Sequence, residues 1–381
     1  MRIKSTTLLI VLFLAHASLS VGVSRTVSAA TSEYTITDIG TLVGQSDGQF
    51  DVLEQVIPTA MTNSGLVVAN GISSSDSGWS VPFASEGGSV KRFGREKAIS
   101  HAYDVNEQGI VVGDTTDRGD TELTNIRPVV WNGSELTELP TLGGATGSAR
   151  AINDQGMVVG YSAVSPESGG GLHATYWEGG QVFDLGTLGG ESSIAHDINE
   201  SGVIAGAAVR TAIRTRPVVW QNGVVRELPL PEFWVAGEAL AINDNGVIVG
   251  GGYREFAESP MRWIDGAYEE LPGFEERATG AARDVNNDGL VVGKVYLQKN
   301  GYADDVAVRW DESGLVNLND LIVAESGFVL IDAVSINDSG QILVIATRDG
   351  IQHGLVMTPA GSSAQLISSA QTIPVADFRR V

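Results

Sequence analysis

The sequence predicts an all-β fold: one four-stranded unit made seven times and closed into a β-propeller. Three observations predict it. A polar turn returns every forty-odd residues, and short β-branched runs follow it without polar alternation. A lone strand and turn ahead of the first unit also copies the end of a unit. Repeats of this length belong to arrays whose units cannot bury themselves singly, and four short strands per unit is the mark of propellers.

In chain order, residues 1–30 read as a secretory signal peptide. Arg2 and Lys4 precede the apolar run 7–15 (TLLIVLFLA), and small residues follow at Ala15-His16-Ala17 and Ser28-Ala29-Ala30. The segment 34–42 (YTITDIGTL) matches the last strand and turn of a unit with no unit before it. The expectation is that it supplies the missing fourth strand of the last unit and removes two open sheet edges. Seven units fill the domain 31–361, anchored on Gly65, Gly109, Gly156, Gly202, Gly246, Gly289 and Gly340, at spacings of 44, 47, 46, 44, 43 and 51. Three residues before the Gly stands Asn in six copies and Thr62 in the first; Asn and Gly at these places tolerate the positive φ that a tight hairpin needs. Runs such as Val158-Val159 and Val291-Val292 then read as strands covered on both faces. A second hairpin carries Trp131, Trp177, Trp220, Trp263 and Trp310, with Phe83 and Met357 in the outer copies; one aromatic per repeat on an apolar strand reads as core. Arg-Pro-Val-Val-Trp occurs twice, at 127–131 and 216–220, two units apart. Residues 362–381 are patternless and read as a flexible tail.

The pattern "DLGTLGG…S-A-DIN-GxVVG" of residues 184–206 resembles the HAF repeat family of extracellular proteins, over about residues 34–359. The name-giving His-Ala-Phe is half kept, as His173-Ala174-Thr175. The resemblance implies export and a propeller-like fold, and it brings no catalytic residue with it.

Lys+Arg is 24 against Asp+Glu 46, a formal charge of −22, which argues against nucleic acid and anionic membranes as partners. Without Cys, thiolate metal sites, disulfides and Cys nucleophiles are excluded. No second apolar stretch is long enough to insert in a membrane. Gly44-Gln-Ser-Asp-Gly48 matches a nucleophile elbow by letters alone, since that motif needs a strand-to-helix turn.

Asp284, Asn286 and Asp288 resemble the front of a calcium loop but lack the closing carboxylate, so calcium is a weak candidate and no cofactor is expected. One column varies while the scaffold repeats: Thr59, Tyr103, Arg150, His196, Leu240, Arg283 and Val334. From it, Tyr103, Arg150, His196 and Arg283 are the candidate ligand-binding residues. The position after each alternates Ala60, Asp104, Ala151, Asp197, Ala241, Asp284, Ser335. A rigid ring with variable loops on one face suits binding. The expected function is therefore a secreted or periplasmic, monomeric, non-catalytic binding or scaffold module for a glycan, peptide or surface partner. The rival expectation is a propeller enzyme, a polysaccharide hydrolase or lyase. Its carboxylate pair would have to break the repeat and sit close together.

Overall fold

The computed structural model describes residues 32–39, 53–73, 80–86, 89–94, 98–117, 125–165, 170–210, 214–254, 257–274, 279–299 and 302–361. The expected signal peptide, the elbow match at 44–48 and the tail lie outside the described residues.

Units 2 to 6 each form one four-stranded antiparallel sheet with strands in chain order. In unit 4 these are Ser193–Ile198, Ile204–Val209, Thr215–Gln221 and Val224–Glu227. Units 7 and 1 share an eight-stranded sheet, joined by one parallel bridge between Gln55 and Gln352. Its eighth strand is Tyr34–Asp38, which pairs antiparallel with Ile351–Pro359; Tyr34 faces Pro359 and Asp38 faces Leu355. The first strands of successive units touch, and Leu53–Met61 of unit 1 also touches Val329–Ile336 of unit 7. They therefore make a circuit about a central axis.

The core follows the sequence pattern. Trp177, Trp220, Trp263 and Trp310 are buried between neighbouring sheets, as are Phe83 and Met357 in the outer copies. The indole N–H of Trp177, Trp263 and Trp310 donates over 2.7 Å to the carbonyl of Pro140, Pro229 and Pro272, each in the preceding unit. An aromatic core residue thus also fastens one sheet to the next.

The turn Asn works differently from its sequence expectation. It does not take positive φ; only the Gly three residues on does, from Gly65 at 90° to Gly340 at 74°. Asn instead bonds in two directions. Asn153 Oδ1 accepts the Met157 N–H at 2.9 Å, closing its own turn, while its Nδ2 donates to the Asn199 carbonyl at 3.2 Å in the next unit. The same link runs from Asn106, Asn199, Asn243, Asn286 and Asn337, the last reaching the Thr62 carbonyl.

Every first strand carries a β-bulge at one place. Register shifts between Ala102 and Asp104, Ala149 and Ala151, Ala195 and Asp197, Ala239 and Ala241, and Ala282 and Asp284. The variable column is therefore the extra residue of each bulge, and bulges re-aim side chains. Opposite the Ala stands Gly113, Gly160, Gly206, Gly250 or Gly293, because the bulge drives a backbone carbonyl into the space a Cβ would need. This close approach accounts for the Gly at this place in units 2 to 6; unit 1 has Ala69 and unit 7 Val344 there.

Candidate active site

The bulge aims its extra residue toward the next unit, and it does so in alternate units. Arg150 of unit 3 lies over the Tyr103 ring of unit 2 at 4.1 Å and 5.3 Å from the centre of the Tyr161 ring. His196 Nε2 of unit 4 stands 3.4 Å from Glu238 Oε2 of unit 5. Arg283 of unit 6 donates to Asp332 of unit 7 at 3.2 Å, and Lys294 is 3.5 Å from the same oxygen. The candidates Tyr103 and Arg150 are brought together; His196 and Arg283 each pair with a residue that sequence reasoning did not single out.

The Asp column obeys the same two-unit rule. Asp104 accepts the N–H of Val105 at 2.8 Å and of Ile152, in unit 3, at 2.9 Å. Asp197 accepts from Ile198 and from Ile242 of unit 5; Asp284 accepts from Val285 and from Ile336 of unit 7. In the units that supply the second donor, the same position holds Ala151, Ala241 and Ser335. Enclosure pushes the Asp104 carboxyl up to about 7, against the lowering effect of its two N–H donors. Burial also raises Asp197 and Asp284, and the three charges oppose one another. Of the weak calcium set, Asp284 is thus occupied by backbone donors, Asn286 holds its turn, and Asp288 faces solvent. Among the described residues no group of three or more His, Asp or Glu is arranged to hold a metal ion.

At the turn end of the axis a second circuit closes. Each turn gives one backbone N–H to the side chain at the same place in the next unit. Glu107 donates to Asp154, Asp154 to Glu200, Glu200 to Asp244, Asp244 to Asn287, Asn287 to Asp338 and Asp338 to Asn63, over 2.7–2.9 Å. Asn63 donates in turn to Glu107. These side chains rim a cavity of about 240 Å³.

The repeat breaks hardest in unit 5. Glu238 stands where other units have Ile57, His101, Ser148, Ile194, Ala281 and Asp332. Gly251, directly opposite Glu238, replaces Asn70, Asp114, Tyr161, Ala207 and Lys294. The side chain of Glu258, from the third strand, folds into the space so cleared, its Cγ and Cδ 3.0 and 3.1 Å from where a Cβ at 251 would stand. Directly opposed residues share a face with Cβ atoms about 5 Å apart, so both carboxylates occupy one small space. Tyr253 donates its hydroxyl to Glu258 Oε1 at 3.2 Å.

Their electrostatics diverge. The His196 contact holds Glu238 below its ordinary value. Burial raises Glu258, an effect that the Arg283 charge partly offsets and the Glu238 charge adds to. Burial, then the charges of Glu258 and Glu238, raises Tyr253 as well. Sequence reasoning missed Glu238, Tyr253 and Glu258. The available signal was the run Gly250-Gly251-Gly252, where every other unit keeps a side chain in the middle place.

No family model matches the sequence, and no curated protein does. Solved structures do. The β-propeller domain of the Trilobed protease from Pyrococcus furiosus, described as having an open velcro topology, aligns with TM-score 0.52 and 10% identity. The alignment covers 87% of this chain and 100% of that one. A puromycin-hydrolyzing peptidase of Mycobacterium tuberculosis aligns with TM-score 0.55 and 12% identity, over 84% of this chain and 54% of that one. The acylaminoacyl peptidase of Pyrococcus horikoshii aligns with TM-score 0.49 and 14% identity, over 79% and 52%. The chain thus spans about half the length of the two peptidases. At such identities the likeness shows the fold, a β-propeller. It also corrects the expected function: the neighbours are a protease's propeller and a peptidase. The non-catalytic binding or scaffold module is therefore set aside, and the enzymatic propeller is carried forward.

Proposed function

We propose that the chain is an exported, seven-bladed propeller enzyme that hydrolyses glycosidic bonds in a polysaccharide, with Glu238 and Glu258 as its working pair. The observation that carries this is the juxtaposition of two carboxylates on one face of unit 5, across a glycine found there in no other unit. Their environments push them apart, which is how one site keeps an acid and a base at the same pH. Glu258, whose pKa burial raises and whose Oε1 is positioned by the Tyr253 hydroxyl, gives its proton to the leaving oxygen as the C–O bond breaks. Glu238, held ionised by His196, takes a proton from the attacking water. The sum is one water consumed and two hydroxyl-bearing products released.

The same reading takes the circuit of seven turns as seven blades and the pairing of Tyr34–Asp38 with Ile351–Pro359 as the closure of the ring. It keeps the resemblance to the HAF repeat family and an extracellular or periplasmic location.

The test is release of reducing ends from a panel of soluble polysaccharides, beside a panel of peptides. We expect Glu258→Gln and Glu238→Gln each to lower the rate by about 10²-fold or more. The rate should follow a bell in pH, rising as Glu238 ionises below the ordinary carboxylate range and falling as Glu258 loses its proton above it. Cleavage of peptides alone, or unchanged rates in both variants, would sink the assignment.

A further inference from the structure

The link into unit 5 differs from those before it. Units 3 and 4 enter through Thr-Leu-Gly-Gly, at 141–144 and 187–190, whereas residues 229–235 read PLPEFWV. The link is firmly built. Trp234 donates its N–H to the Pro231 carbonyl at 3.2 Å, closing a turn, and Val235 donates to the Tyr253 carbonyl at 2.9 Å. The Trp234 ring is buried in the space left by Gly252, with the Arg254 guanidinium 5.6 Å from its centre.

What this scaffold presents is Phe233, 87% exposed and at φ +71°. Among the described residues only three other non-glycines take positive φ: Asn222, Asp265 and Asp349. Each is an Asn or Asp followed by Gly in a hairpin turn, where that conformation is ordinary. A bulky aromatic in the left-handed region gains nothing locally, and this one covers no core. Backbone strain of this kind persists where surrounding structure imposes it, and it gathers at ligand sites. One residue after it Trp234 is anchored, and two after it Val235 is bonded to Tyr253, the residue that steadies Glu258.

We propose that Phe233 is a substrate-stacking platform for the Glu238–Glu258 site, and that its ligand is a neutral polysaccharide built of pyranose rings. This rests on the glycosidase reading above. A pyranose offers a flat C–H face to an exposed aromatic ring, and a chain of charge −22 repels polyanionic polymers.

The test is affinity electrophoresis of the full chain through gels holding soluble xylan, glucomannan or pullulan, with polygalacturonate as the anionic control. Wild type and Glu258→Gln are expected to be retarded by at least one neutral polymer. Phe233→Ala should weaken that retardation about tenfold, and Phe233→Trp should keep it. Phe233→Gly should lose it while its Tm rises, because glycine relieves the positive φ; a structural role would lower Tm instead. Equal retardation of Phe233→Ala and wild type, no retardation by any neutral polymer, or stronger retardation by polygalacturonate would overturn the proposal. The two readings fail separately. Hydrolysis with an unchanged KM in Phe233→Ala removes the platform and leaves the glycosidase. Phe233-dependent retardation without hydrolysis by wild type removes the glycosidase and leaves the platform.

Discussion

At the scale of single residues, the indole N–H separates otherwise similar tryptophans. Trp177, Trp263 and Trp310 each find the carbonyl of a proline in the preceding unit. Trp220 has no such partner, although it is buried as deeply. Its counterpart acceptor would be Gly186, since unit 3 has Leu185-Gly186 where units 2, 4 and 5 have Leu-Pro, and the Gly186 carbonyl is taken by Ser193 Oγ at 2.7 Å. Replacing Trp by Phe should therefore cost less at 220 than at 177 or 263. The difference should be about 1 kcal/mol, the worth of one hydrogen bond, and urea unfolding of the three variants measures it.

At the scale of elements, the working module is a pair of units rather than one. Units 2 and 3, 4 and 5, and 6 and 7 are clasped by Asp104, Asp197 and Asp284, and by the bulge residues Tyr103, His196 and Arg283. Units 1 and 2 are joined differently, by Asn70 bonding both polar groups of the Ala102 backbone at 2.9 Å. Removing a clasp should loosen one joint only. In Asp197→Ala the amides of Ile198 and Ile242 lose their acceptor, so their hydrogen exchange should quicken while Ile152 and Ile336 stay protected. The folded pKa of Asp197 is raised, so its stabilising share is fully present below its unfolded value and lost as pH rises through the folded one. The substitution should accordingly cost more at pH 5 than at pH 8.

For the whole molecule, the same sign applies to the sum. Burial raises Asp104, Asp197, Asp284 and Asp332, against a few groups held low, Glu238 among them. Melting temperature should fall from pH 5 to pH 8, with the Asp104 share lost as pH climbs through about 7; repulsion within a chain of charge −22 acts in the same direction. A second prediction concerns the strand Tyr34–Asp38. Tyr34 is buried against unit 7 and its hydroxyl accepts from Arg309 of unit 6 at 3.2 Å, Asp38 meets His353 at 2.9 Å, and Ile39 is 2% exposed. Deleting residues 32–39 bares the edge of Ile351–Pro359 and uncovers that core. A fall in Tm on the order of 10 °C is expected, and a change of only a degree or two would argue against a structural role for the strand.

The sequence by itself determined the period, the strands, the Trp core and the Gly at each turn. Those depend on local backbone preference and on a hydrophobic pattern repeated seven times, and repetition exposes whatever is constant. It also marked the variable column and the alternating Asp residues, but not their meaning. Tyr103 and Arg150 are 47 positions apart, and only the packing of one bulged strand against the next puts one over the other. The candidate pair was hidden for the same reason. Glu238 and Glu258 look like two surface acids among 46 until the register sets Gly251 between them and leaves their carboxylates one space to share. Which polar groups meet is fixed by strand register and by the joints between units, and those are settled only when the chain closes on itself.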